Sequence, residues 1–142
     1  MKQYTLDIST PIRQALIEHA QSLTPVESCG YLGGKDGKVT RFFPMTNVDN
    51  SPEHFSFDPK EQFQVLKEAR KEGLDLVAVY HSHPASPARL SAEDIRLFND
   101  PTPVYIIVSL LNDVPVINGF KVFKENENEI EIHKVNITGG DA

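Results

Sequence analysis

Two short apolar runs constrain this chain more than anything else in it. Residues 74–80 and 103–111 are compact and almost continuously hydrophobic. Neither shows the alternation of a half-exposed strand, so both read as strands buried on their two faces. Helix signals surround them. At Asp58-Pro59-Lys60-Glu61 an Asp cap precedes a proline in the first turn, with a glutamate three residues after the cap. Phe63, Leu66 and Ala69 continue that helix, and Gly73 stops it. Ser9 or Thr10 caps an earlier helix, with Pro11 in its first turn and Ile12, Ala15, Leu16, Ala20 and Leu23 at helical spacing. Thr24-Pro25 ends it. A third, short helix starts at Ser91 and carries Ile95 and Phe98. Buried strands interleaved with capped helices specify an α/β or α+β layering.

Further strands are expected over residues 26–34 and 39–45, joined by a hairpin at Asp36-Gly37. Residues 55–57 alternate like a short strand. Residues 114–123 and 130–137 read as two more, joined by the polar turn at 125–128. Residues 47–55 form the longest polar segment, a loop suited to framing a cleft. The 142 residues suffice for one domain, taken as 1–142, with no repeat or internal linker.

The net charge of −6 and the absence of a Lys/Arg cluster argue against a nucleic-acid partner. The longest strongly apolar stretch, 104–111, is too short to span a bilayer. The first ten residues hold no apolar signal-peptide core. The single cysteine, Cys29, cannot form an intrachain disulfide, which suits a reducing cytoplasm.

His81 and His83 stand two apart at the end of the first buried run. On a strand, residues i and i+2 share a face, so both imidazoles project together while Ser82 points away. Imidazole nitrogen is a good zinc ligand. Pro84 and Pro87 stiffen the following loop, which leads to Ser91. If Ser91 caps the third helix, Asp94 takes its third position and turns back toward the strand end. Two histidines and a carboxylate then make a three-ligand site with a fourth position open. The same Ser-x-x-Asp is also an ordinary capping pattern that needs no metal. Glu27, between Pro25 and the small residues Cys29 and Gly30, is the best local candidate for a general base, or else an exposed strand residue.

Taken together, these residues resemble the JAMM (MPN+) metalloprotease family. Its pattern is a glutamate, a long gap, His-x-His, ten residues and an aspartate, with a serine three before the aspartate. Glu27, His81, His83, Ser91 and Asp94 match it in order and spacing. Residues 26–34 also resemble the segment around the glutamate in small bacterial members, and the likeness covers about residues 10 to 123. It implies a cytidine-deaminase-like α/β fold, a curved mixed sheet flanked by helices. It further implies that His81, His83 and Asp94 bind Zn²⁺, that Glu27 is the general acid/base toward the water the zinc activates, and that Ser91 stabilises the oxyanion. The short chain is similar to stand-alone enzymes that trim ubiquitin-like sulfur carriers. The implied substrate is therefore a carrier protein with an extended Gly-Gly tail, cut at a peptide or isopeptide bond. Leu90 departs from the proline usual before that serine, which leaves a softer loop expected there.

Two readings of other classes stay open: a non-haem iron enzyme, since two histidines and a carboxylate also suit Fe(II), and a non-catalytic protein-binding domain of the same fold. Cys29 reads as a small buried residue, and His54 as a loop residue, solvated or lining a groove. His19 falls on the polar side of the first helix, and His133 alternates within the last strand. Residues 137–142, with Gly139-Gly140, read as a frayed terminus.

Overall fold

The structure is a computed structural model, described for residues 3–140. Its seven strands run, in chain order, β1 Thr5–Ile8, β2 Cys29–Lys35, β3 Lys38–Met45, β4 Asp75–His83, β5 Val104–Ser109, β6 Val116–Asn126 and β7 Glu129–Thr138. Three helices join them: α1 Thr10–Ser22, α2 Pro59–Lys71 and α3 Ala92–Leu97. The order around the sheet is β1-β3-β2-β4-β5-β6-β7, and β1 also pairs with β7, so the curved mixed sheet closes into a barrel. The expected α/β architecture is present, and curvature is carried to closure.

The β2–β3 hairpin turns where the Asp-Gly pair requires it. Asp36 and Gly37 have φ of 52° and 77°, the left-handed pair of a two-residue turn. The buried runs form β4 and β5, which lie parallel with Ala78 beside Val104 and His83 beside Ser109. Parallel neighbours need a crossover, and α3 with its loops supplies it. β4 runs past the apolar stretch to include both histidines. The β4 residues Ala78 and Tyr80 join Leu16 and Ala20 of α1 in the main core. A second cluster packs Cys29, Phe43 and Met45 against Val65 and Ala69 of α2.

Several expectations need correction. The strand β1 was not anticipated, and Phe55 to Phe57 form no strand beyond one bridge between Asn47 and Phe57. Ser9 occupies the cap position of α1 without a side-chain capping bond. Asp58 caps α2 through the Lys60 N–H as expected, but Glu61 turns away to accept from the Thr46 N–H at 2.6 Å and hydroxyl at 3.0 Å. That contact ties α2 to the end of β3 instead of closing a capping box. The terminus is not frayed as far as Gly140. Arg13 donates to the carbonyls of Ile8 and Thr138, and added Cβ atoms at Gly139 and Gly140 would press on Asp7 and Arg13. Asp141 and Ala142 lie outside the described residues.

Candidate active site

The odd-numbered face of β4 carries the histidines away from the α1 core. The His81 ring stacks on Phe55 with centroids 5.0 Å apart and meets the edge of Phe98 at 5.4 Å. Ser82, on the opposite face, accepts the Ser28 N–H at 2.8 Å and donates its own N–H to the Ser28 carbonyl at 3.0 Å. This pairing sets the segment just before β2, where Glu27 stands, beside the end of β4.

The loop after β4 is held at three successive carbonyls. Ser109 Oγ donates to Ser86, His83 Nδ1 to Pro87 at 2.8 Å, and Asn118 Nδ2 to Ala88. Leu90 packs beside the cluster of Phe98, Tyr105 and Val122. The softer loop expected from the missing proline is therefore not what these contacts describe. Ser91 and Asp94 then form a full capping box at the start of α3.

At this point three ligand atoms converge. His81 Nε2 lies 3.1 Å from His83 Nε2, His83 Nε2 lies 3.0 Å from Asp94 Oδ2, and His81 Nε2 lies 3.2 Å from Asp94 Oδ1. All three residues are at most 3% exposed. Pro87 offers only a carbonyl, so His83 Nδ1 carries a proton, and whenever the ring is neutral its Nε2 lone pair faces the carboxylate. Two imidazole nitrogens and a carboxylate gathered in a buried place could hold a cation between them. Donors around a tetrahedral zinc at about 2.0–2.1 Å stand about 3.3 Å from one another, close to the spacing here. The donor set and its spacing fit a divalent metal ion.

With a proton on Nε2, each imidazole instead donates to the Asp94 carboxylate. Burial alone would raise the Asp94 pKa, but hydrogen bonds from His81 and His83 outweigh it and hold the carboxyl well below the usual range. Burial depresses His81, a ring with no water to share its charge. Burial works the same way on His83, yet Asp94 and the Pro87 carbonyl outweigh it and raise that group.

Beside the three residues opens a cleft of 560 Å³ whose lining includes Glu27, Pro52, His54, His83, Ser86 and Ser91. Its size is within the ordinary range for ligand sites. Glu27 is 3% exposed, and burial foremost pushes its carboxyl up to about 8, with Asp94 and Glu53 adding to the rise and His83 opposing it. Among the described residues, Glu27 Oε1 and His81 Nδ1 are buried without a hydrogen-bond partner. The five residues singled out in the sequence are thus brought together, Glu27 from before β2, the histidines from β4, Ser91 from the cap of α3 and Asp94 from its first turn.

A model of the prokaryotic homologs of the JAB domain matches residues 9–122 of this chain. The chain belongs to this family. Among curated JAB-type relatives, a CysO-cysteine peptidase of Mycobacterium tuberculosis is 35% identical over 108 residues, 75% of this chain and 74% of that protein. A desampylase of Pyrococcus furiosus is 34% identical over 105 residues, 74% of each chain. A probable TtuB-protein conjugate cleaving protease of Thermus thermophilus is 39% identical over 79 residues, 55% of this chain and 53% of that one. A solution structure from Desulfitobacterium hafniense superposes with a TM-score of 0.81 at 38% identity, over 94% of this chain and 93% of its own. The resemblance read from the motif is to this same family.

Other residues fall where the sequence left them or elsewhere. Cys29 is fully buried, and burial raises its thiol to about 12. His54 lines the cleft, its Nδ1 2.9 Å from Asp49 Oδ2. His133 packs beside Tyr4 and Phe123. His19 is not on a polar face: it packs against Phe42 and Tyr80, with Nδ1 3.3 Å from the Tyr80 hydroxyl. Asn47 was missed. It is 8% exposed and its amide makes four hydrogen bonds. Nothing local distinguishes it from an ordinary loop asparagine, because its partners lie up to 20 residues away.

Proposed function

We propose that this JAB-family chain is a zinc metallopeptidase, one catalytic domain over residues 1–142 with its motif core at about 10–123, working in the cytoplasm. The observation that carries the reading is the convergence of His81, His83 and Asp94 beside Glu27, whose buried Oε1 has no hydrogen-bond partner, in one open cleft. His81 Nε2, His83 Nε2 and the Asp94 carboxylate would hold the zinc. An ion bound there supplies Lewis acidity toward water and toward a peptide carbonyl.

The chain's own groups do the rest. Glu27 is the general acid/base. Burial has brought its carboxyl to a range where it takes up and gives back a proton near neutral pH. It takes a proton from the attacking water and later delivers it to the leaving amine nitrogen. Ser91 Oγ already accepts the Asp94 N–H, so its own hydroxyl proton is left to donate to the developing oxyanion. His83 keeps its orientation through Pro87. Pro52, His54 and Ser86 line the cleft in which the scissile bond would lie.

The substrate we infer is a ubiquitin-like sulfur-carrier protein with an extended Gly-Gly tail, hydrolysed after the diglycine at a peptide or isopeptide bond. The names of the peptidase and the conjugate-cleaving protease among the relatives support that class. Glycine tails also suit a site between two loop walls, since a backbone without Cβ atoms enters where others clash.

The test is hydrolysis of a Gly-Gly-extended ubiquitin-like carrier by the zinc-loaded protein, followed by intact mass. Release of the residues after the diglycine by wild type, and not by Glu27→Gln with its zinc retained, is the expected result. A zinc-loaded wild type that leaves every extended carrier intact would overturn the reading. Iron as the resident metal on elemental analysis would move the site toward Fe(II) chemistry.

A further inference from the structure

Glu27 is not mounted on a strand. It precedes β2, and its main chain is held by the loop that walls the cleft. The Glu27 N–H donates to the Ser51 carbonyl at 2.9 Å, and the Glu27 carbonyl accepts Asn47 Nδ2 at 3.0 Å. The second proton of the same Nδ2 goes to the His54 carbonyl at 3.0 Å. Asn47 Oδ1 accepts the N–H groups of Asp49 at 3.0 Å and Ser56 at 3.3 Å. One buried amide thus spends its two donors and two acceptor positions on four main-chain groups, all that its chemistry allows.

The arrangement reaches further through those partners. Asp49, positioned through its N–H by Asn47, accepts from Ser56 Oγ at 2.7 Å and sits 2.9 Å from His54 Nδ1. His54 lines the cleft with Glu27. Phe55, next in the chain, stacks on His81. The proton-handling carboxyl, the cleft wall and the ring beside the histidines therefore share one support.

We propose that Asn47 is the positioning residue of this site: it fixes Glu27 and the His54 wall in one geometry, so the carboxyl is placed only when the wall is formed. The inference rests on Glu27 being the general acid/base. Asn47 touches no reacting atom and acts through the Glu27 main chain. Misplacing a catalytic group by about 1 Å costs on the order of 10²-fold, and the loss falls on the chemical step more than on binding.

The test compares wild type with Asn47→Asp, which keeps the acceptors for Asp49 and Ser56 but removes both donors. The readouts are kcat and KM on a Gly-Gly-extended carrier, zinc content, and amide hydrogen exchange at residues 27 and 49–56. The expected result is a loss of about 10- to 100-fold in kcat, a KM within a few-fold, full zinc content, and faster exchange confined to those residues. Asn47→Ser, uncharged and shorter, must repeat the kcat loss, and it replaces the aspartate variant if a buried charge prevents folding. Wild-type kcat in a folded variant overturns the inference while leaving Glu27→Gln to judge the peptidase reading. A loss of zinc, or exchange raised across the whole barrel, also overturns it, since Asn47 would then be a general structural residue.

Discussion

Ser91 and Asp94 cap one another: the Asp94 N–H donates to Ser91 Oγ at 3.0 Å, and the Ser91 N–H donates to Asp94 Oδ2 at 3.0 Å. The carboxylate that closes this box is also the one that faces both histidines. Helix capping has therefore aimed a carboxylate at the two histidines, and removing the side chain removes two things at once.

Asp94→Asn retains an oxygen for the Ser91 N–H but not the negative charge between the histidines. It should lose most of its bound metal and all measurable peptidase activity. Asp94→Ala should lose, in addition, about 1 kcal/mol of stability from the cap. Elemental analysis and urea unfolding of the two metal-free variants, side by side, separate the contributions.

Glu27 should make the metal-free protein less stable as pH rises. The folded-state pKa of Glu27 stands at about 8 against an ordinary 4.5, because burial disfavours the charged carboxylate. The folded chain therefore holds a proton that the unfolded chain releases. The stability linked to this group is complete below the ordinary value and is lost as pH climbs through the folded one. Thermal unfolding after chelation, followed from about pH 5 to 8, should show Tm falling more, or rising less, with pH in wild type than in Glu27→Gln. An unchanged slope in the variant would assign the effect to another group.

Gly30 lies where β2 and β3 approach closely. An added Cβ would press into the Phe43 carbonyl oxygen and meet the Phe42 ring at 3.1 Å. Backbone cannot step aside as a flexible side chain would, so Gly30→Ala should cost about 1–3 kcal/mol. Chemical denaturation measures it.

Cys29 should be inert in the folded state. It is fully buried and its thiol is raised to about 12, whereas the thiolate is the reactive form. Iodoacetamide should modify it only after unfolding, as followed by mass. Rapid modification of the native protein would contradict this placement.

What the sequence made legible was local. The histidines were readable because strand geometry puts residues two apart on one face, and Asp94 because a capping box fixes the third helical position. The Asp36-Gly37 turn follows from the same kind of rule. The missed features depend on distant partners. β1 has four residues, too few to show a period, and is defined by parallel pairing with β3 and β7. His19 was assigned to a polar face by helical spacing, yet Phe42 and Tyr80 meet it there. Glu61 completed a capping pattern in sequence but found Thr46 in space. Asn47 belongs to this group too: only the folded chain brings residues 27 and 54 within reach of one amide.

The closure of the barrel sets the first and last strands side by side, Thr5 beside Asn136 and Asp7 beside Thr138. The cleft and the His81–His83–Asp94 cluster come from residues 27–94, so the strands that complete the closure do not interrupt them. A circular permutant is thereby feasible: a short flexible linker from the end of β7 back to β1, with new termini opened in the turn between β6 and β7. Such a chain would present β7 first and still carry Glu27, His81, His83, Ser91 and Asp94 in their original order.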